Sequence, residues 1–160
     1  MIQRLRRTGS ALAVLAVLAA VPAAAEDEAP YYHPPITSEE TFTRNLIAGP
    51  PARKQDREGF VTLVTRAQLD APANPTFSLF AKGTESDRLY MIALSDDEFR
   101  TLHRARAVLA QLTYNLRSTT FFQEQGLAVD ATFFDMLQLL GFESLVVSDG
   151  MDWAHRIAFE

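Results

Sequence analysis

The sequence contains no cysteine among its 160 residues, and this absence excludes several kinds of chemistry. Without thiols the chain has no disulfides, thiolate metal sites, iron–sulfur clusters or cysteine nucleophile. Glycine is also scarce, with seven residues, and none belongs to a G-x-G-x-x-G or G-x-x-x-x-G-K-S/T nucleotide-binding loop. The H-E-x-x-H and G-x-S-x-G patterns of metalloproteases and serine hydrolases are missing too. By motif, the sequence therefore predicts no cofactor, no metal centre and no catalytic residue.

Charge and hydrophobicity narrow the class of protein further. Twenty acidic residues against 15 basic ones give a formal net charge of −5, which argues against a nucleic-acid-binding protein. The hydrophobic fraction of 48% is too high for a disordered chain. A chain of this length is most simply a single compact domain.

The N-terminal segment predicts export. Arg4, Arg6 and Arg7 precede an uncharged apolar run at 11–21, and the small residues 23–25 form an A-x-A cleavage pattern. The apolar run is shorter than the roughly 20 residues that a transmembrane helix needs. These three parts are typical of a secretory signal peptide cleaved after Ala25, so we expect a periplasmic or secreted protein. The remaining 135 residues carry 12 basic and 20 acidic side chains, a net charge of −8, with no further membrane-span candidate.

After the signal peptide (1–25), residues 26–35 read as an extended arm, from which we expect Tyr31 or Tyr32 to dock on the domain. Residues 36–160 predict one α+β domain, with an antiparallel sheet of four or five strands and helices packed on one face. The sheet is expected to rest on two hairpins, which pair 76–82 with 88–94 and 143–148 with 153–159 across the turn at 149–150.

Two other segments have less regular patterns. Thr37 and Glu40 fit a capping box, which favours a helix over 36–46, whereas the alternation of Ile36, Ser38, Glu40 and Phe42 fits an edge strand. The β-branched run 60–65 predicts a strand, preceded by a charged connector over 52–58.

Three helices are expected in the second half of the chain. A capping box at Ser95 predicts a long helix to about Arg117, whose buried face includes Leu109. Residues 118–125 predict a short helix, and Asp130 is expected to cap a third helix over 131–140 that Gly141 ends.

The candidate binding residues are Arg106, His103, Asp149, Asp152 and His155. The two aspartates and His155 form the densest group of potential ligands, although a hairpin turn stabilised by aspartate explains them as well. Arg106 lies at the edge of the buried helix face, where it either extends its head group into solvent or pairs with a buried acid. A paired arginine that lines a cleft would bind a carboxylate or phosphate. His103 lies on the flank of the same helix.

Four short runs resemble a group of small exported bacterial proteins: YHPPITSEE (32–40), FAKG (80–83), HRARA (103–107) and VSDG (147–150). Some members carry the label molybdopterin-guanine dinucleotide biosynthesis protein A. Genuine guanylyltransferases of that name have a glycine-rich N-terminal loop, whereas this chain has its predicted signal peptide there. The resemblance therefore implies export and brings no catalytic residues.

Two functions are compatible with the sequence. The first is a non-enzymatic binding or accessory module whose partner is an envelope protein or a small ligand. The alternative is a small hydrolase-like enzyme in which His103 or His155, an aspartate at 149 or 152, and Arg106 meet only in three dimensions. An enzyme requires a histidine and a carboxylate within hydrogen-bond reach in a concave site, whereas a binding module requires an exposed apolar patch or an open sheet edge.

Overall fold

The fold is α+β, as predicted. The computed structural model describes residues 33–43, 52–95, 99–120, 123 and 130–160. The predicted signal peptide, the two tyrosines of the arm and half of the predicted helix at 118–125 lie outside these residues. The elements of the described part are, in chain order, β1 (Ser38–Phe42), α1 (Lys54–Leu69), β2 (Phe77–Lys82), β3 (Arg88–Ala93), α2 (Leu102–Arg117), α3 (Phe133–Leu139), β4 (Ser144–Ser148) and β5 (Ala154–Phe159).

The five strands form one mixed sheet in the order β1-β5-β4-β3-β2. Neighbours β2 and β3, and likewise β4 and β5, run antiparallel, but β3 with β4 and β1 with β5 run parallel. The prediction of an antiparallel sheet is therefore wrong. Helices α2 and α3 form the connection between β3 and β4. A helical crossover of this kind returns the chain so that the next strand runs parallel to the previous one.

The segment 60–65, predicted as a strand, belongs to helix α1, and so does most of the predicted charged connector. Arg57, Phe60, Val64 and Gln68 recur at helical spacing, and the first two are buried. At the start of the helix, the Asp56 carboxylate accepts a hydrogen bond from the backbone N–H of Arg53 at 2.9 Å. Packing of this face outweighs the strand preference of the β-branched residues, which is weak.

The segment 36–46, where the capping box favours a helix, contains strand β1 instead. Its alternation places Ser38, Glu40 and Phe42 on one side of the sheet. The backbone N–H of Thr37 donates to the carbonyl of Ala154 at 2.8 Å, just before the two strands pair. Pairing with β5 satisfies the backbone groups on the inner side of β1, some of those that a helix would have satisfied internally.

Helices α2 and α3 begin later than predicted. The N-cap of α2 is Thr101, whose hydroxyl accepts from the backbone N–H of Arg104 at 3.3 Å. Thr132, rather than Asp130, caps α3 through a reciprocal pair with Asp135. Gly141 ends α3 as predicted, with φ of 68°, a conformation that glycine adopts without strain.

All three helices pack on one face of the sheet. The core on this face contains buried side chains from the sheet and from each helix: Leu89, Met91, Leu145, Phe60, Leu109 and Leu137. The opposite face holds a smaller cluster of Tyr90, Val146 and Ala154. His33 of the arm stacks on the Tyr90 ring with 5.2 Å between centroids. In the described part of the chain, the helices are too short or too polar to be candidates for crossing a membrane.

Candidate functional site

A histidine lies at the centre of the contact between the first and last strands. The parallel register places Ser38 opposite His155 and Glu40 opposite Ile157, so that the two β1 side chains flank the imidazole. His155 is 2% exposed. Its Nδ1 lies 2.8 Å from Ser38 Oγ, and its Nε2 lies 3.4 Å from Glu40 Oε1. Serine, histidine and glutamate therefore stand in one row across two strands.

The carboxylate of this row is held from the helical layer. Arg106 of α2 donates from Nη2 to Glu40 Oε2 at 2.6 Å, across 66 residues of sequence. The guanidinium engages one carboxylate oxygen, which leaves the other facing His155. Trp153 stacks on the imidazole with 6.1 Å between centroids and 9° between ring planes. Three elements and the loop before β5 thus fix the row.

The neighbours of His155 determine where its proton lies. A carboxylate oxygen faces Nε2, and a lone pair at Nε2 would repel it, so the neutral ring carries its hydrogen there. Nδ1 is then the acceptor, and Ser38 donates its hydroxyl proton to it. The buried Nε2 has no aligned hydrogen-bond acceptor, since Glu40 Oε1 is near but poorly oriented. A buried donor without a bond is costly.

A shallow cleft of about 420 Å³ runs beside β1. It is lined by Pro35, Ile36, Thr37, Ser38, Glu39 and Arg156. Arg156 donates to Glu39 at 2.8 Å, and this hydrogen bond holds the pKa of the Glu39 carboxyl below its usual value. The cleft therefore contains one negative side chain from the consecutive residues 35–39 and one positive side chain from β5.

The structure brings two of the predicted site residues together and separates the others. Arg106 and His155 both contact Glu40. His103 lies exposed on α2, and Asp152 lies exposed in the β4–β5 loop. In the described part of the chain, no cluster of potential ligands could hold a metal ion.

Asp149 organises the β4–β5 loop. Its Oδ1 accepts from the backbone N–H groups of Met151, Asp152 and Trp153 at 2.9, 3.1 and 3.0 Å. Burial raises the pKa of the Asp149 carboxyl, but the bonds from Met151 and Trp153 are among several that lower it, and the pKa lies below its usual value. The Asp149 carboxylate is therefore occupied by hydrogen bonds within the turn. These bonds hold the backbone of Trp153 in position, so that its ring stacks on His155.

Ser38 and Glu40 are the residues of the row that the sequence did not single out. The alternation that fits an edge strand over this segment is the pattern that could have identified them, because it places Ser38 and Glu40 on one side of β1. The matching alternation of His155, Ile157 and Phe159 on β5 gives the facing side. Only the parallel pairing of the two strands, 117 residues apart at the Ser38–His155 contact, connects these patterns.

A second buried polar centre was missed as well. Arg57 of α1 is 6% exposed and donates only to backbone carbonyls. Glu85 O accepts from Nη2 at 2.7 Å and from Nε at 3.0 Å. Nη1 approaches the carbonyls of Ala52, Leu140 and Gly141 at 3.3 to 3.4 Å. The last two close the C-terminal end of α3, where the helix dipole favours a cation. We call this set of contacts the Arg57 clasp, and its role is structural.

Comparison of the chain with protein-family models, with curated proteins and with solved structures finds no match. The described residues offer an edge strand with a cleft beside it, and a serine–histidine–carboxylate row that begins on that same strand.

Proposed function

We propose that the protein is an exported binding module that takes up an extended peptide segment along the outer edge of β1. The observation that carries this proposal is the coincidence of an edge strand and a cleft on the same residues. Within the described residues, β1 pairs with β5 on one side and no strand lies on the other. The cleft is lined by 35–39, the residues that lead into and begin this strand.

Peptide capture by strand addition needs both features. The backbone N–H and C=O groups of an edge strand bind the main chain of an extended segment, and a neighbouring pocket selects a side chain. Ser38, Glu39 and Thr41 are exposed, so incoming backbone can reach β1. The cleft is large enough for one side chain, and its polar wall favours a polar or charged one.

Charge selects the kind of partner. The chain without its predicted signal peptide carries a net charge of −8. Glu39 and Glu40 follow one another on the edge strand, point to opposite faces of the sheet, and pair with Arg156 and Arg106. Acidic side chains on an edge discourage pairing with a second acidic edge and attract a basic segment. We therefore expect a basic, extended segment of an envelope protein, reached through the predicted export.

The test selects peptides on the purified protein from a library of short random sequences. Bound peptides should be basic, and they should slow amide hydrogen exchange in β1. N-methylation of alternate peptide residues should abolish binding, because it removes the main-chain donors that strand addition requires.

Matched charge reversals provide the control. Glu39→Lys places a positive charge in the cleft and should weaken binding of basic peptides. Glu143→Lys makes the same change of net charge at an exposed position outside the cleft and should leave binding nearly unchanged. Equal effects of the two substitutions, or protection of the helices instead of β1, would contradict strand addition.

A further inference from the structure

We propose that Ser38 is also a nucleophile that accepts the acyl group of a small carboxylic ester, with His155 as its base and Glu40 as a positioning residue. This inference is independent of peptide capture, because it concerns side chains of β1 rather than its backbone edge. It rests on the row described above and on the different exposure of its members.

The row is arranged for transfer of a proton away from Ser38. Ser38 Oγ lies 2.8 Å from His155 Nδ1, and Glu40 Oε1 lies 3.4 Å from Nε2 on the other side of the ring. A nucleophile bonded to a base that a third group orients is the general pattern of activated serine. Here the two ring nitrogens exchange the roles they have in the usual serine triad, which changes neither the number of protons moved nor their direction.

The orphaned Nε2 donor supports a catalytic role. In the resting state it makes no aligned hydrogen bond, although it is buried. When Nδ1 takes a proton the ring becomes a cation, and its attraction to the Glu40 carboxylate rises at once. The Glu40 carboxylate therefore lies beside the charge that forms on the ring during attack.

The proposed nucleophile of the row is exposed to solvent, whereas its proposed base is buried. Ser38 is exposed and is one of the residues that line the cleft. His155 is 2% exposed and lies against Trp153, so bulk water does not compete for its nitrogens. Because the row stands on two paired strands and is braced by Arg106, its geometry is rigid, as precise chemistry requires.

The reaction balances without a cofactor. Ser38 Oγ bonds to the ester carbonyl carbon, its proton moves to His155 Nδ1, and the alkoxide leaves as the carbon–oxygen ester bond breaks and takes that proton. Water then attacks the acyl-serine, gives a proton to Nδ1, and the carboxylic acid departs as Ser38 regains its hydrogen.

The experiment treats the purified protein with a fluorophosphonate probe and with p-nitrophenyl acetate, and locates the adduct by mass spectrometry. We expect the adduct at Ser38 and none after Ser38→Ala. Ser118→Ala is the matched control, since Ser118 is also exposed but donates to a helix carbonyl, and it should react like the wild type. Wild-type labelling spread equally over other residues, or unchanged labelling in Ser38→Ala, would overturn the proposal.

Glu40→Gln tests the positioning role. It should slow acylation about 10-fold or more and change the pH dependence of the rate, whereas a merely structural residue would alter the unfolding temperature alone. An unchanged rate and pH profile in folded Glu40→Gln would refute the role of the carboxylate. Peptide capture is tested by the N-methylated peptides and acyl transfer by the adduct at Ser38, so the two proposals can fail separately.

Discussion

Removal of the Arg57 side chain should lower the free energy of unfolding by about 3–4 kcal/mol. The substitution is Arg57→Ala. It takes away the guanidinium that joins the start of α1, the β2–β3 turn and the end of α3 through backbone carbonyls. These carbonyls then lose their donors inside the protein, and an alanine cannot replace them.

The magnitude follows from the lengths of the contacts. Only the two bonds to Glu85 O, at 2.7 and 3.0 Å, are short. Hydrogen bonds of a charged donor contribute about 1.5–3 kcal/mol each. The contacts of Nη1 at 3.3 and 3.4 Å add little. Relief of the desolvation cost of the cation offsets part of the loss, which leaves the estimate given above.

Equilibrium unfolding in urea measures the loss. With a denaturant slope of about 2 kcal/mol/M, the midpoint should fall by roughly 1.5–2 M. Arg66→Ala is the control, since it removes the same side chain from an exposed position in the last turn of the same helix. Its effect should stay within about 0.5 kcal/mol. If both variants lose less than about 1 kcal/mol, the Arg57 clasp does not stabilise the fold.

Three further outcomes are expected. Leu109→Ala, which empties a core position at 5% exposure, should cost about 2–5 kcal/mol in the same urea assay, and a change near zero would place α2 outside the core. Asp149→Asn should cost about 1 kcal/mol at neutral pH because the turn loses its charged acceptor. Because the pKa of Asp149 is lowered in the folded protein, its carboxylate stabilises the fold fully above the ordinary value of 3.8. The difference in unfolding temperature between the wild type and Asp149→Asn should therefore shrink as the pH falls through the pKa of the folded state. Mass spectrometry of exported protein should find an N-terminus at Glu26, and retention of residues 1–25 would refute the signal peptide.

Periodicity and turn chemistry were sufficient for much of the fold. The α2 face with Leu109, the glycine stop at Gly141 and the turn at Asp149 follow from local patterns, and the structure confirms them. The pattern failed at α1, where Phe60, Val64 and Gln68 share a helical face but sit among β-branched residues that favour a strand. Local preference there is smaller than the energy of burying Phe60 and Arg57, which depends on parts of the chain far away.

The candidate site was only half predictable for the same reason. His155 and Arg106 were chosen for their chemistry, but their shared partner Glu40 could not be found from spacing. It meets them because β1 pairs with β5 in parallel, and no local signal specifies such a pairing. The aspartates near His155 were the nearest acids in sequence, yet the carboxylate of Asp149 is occupied by its own turn.

The pairing of β1 with β5 also has a consequence for the order in which the sheet forms. The antiparallel pair β2–β3 closes across a short turn, whereas β1 must wait for residues 117 positions later in the chain. Closing so long a loop is slow and comes after local pairing. We therefore expect β1 to be the last strand to join and the first to leave during local opening, while the other four remain paired. The Ser38–His155–Glu40 row then exists only in fully assembled molecules, and an unfinished or truncated chain cannot form it.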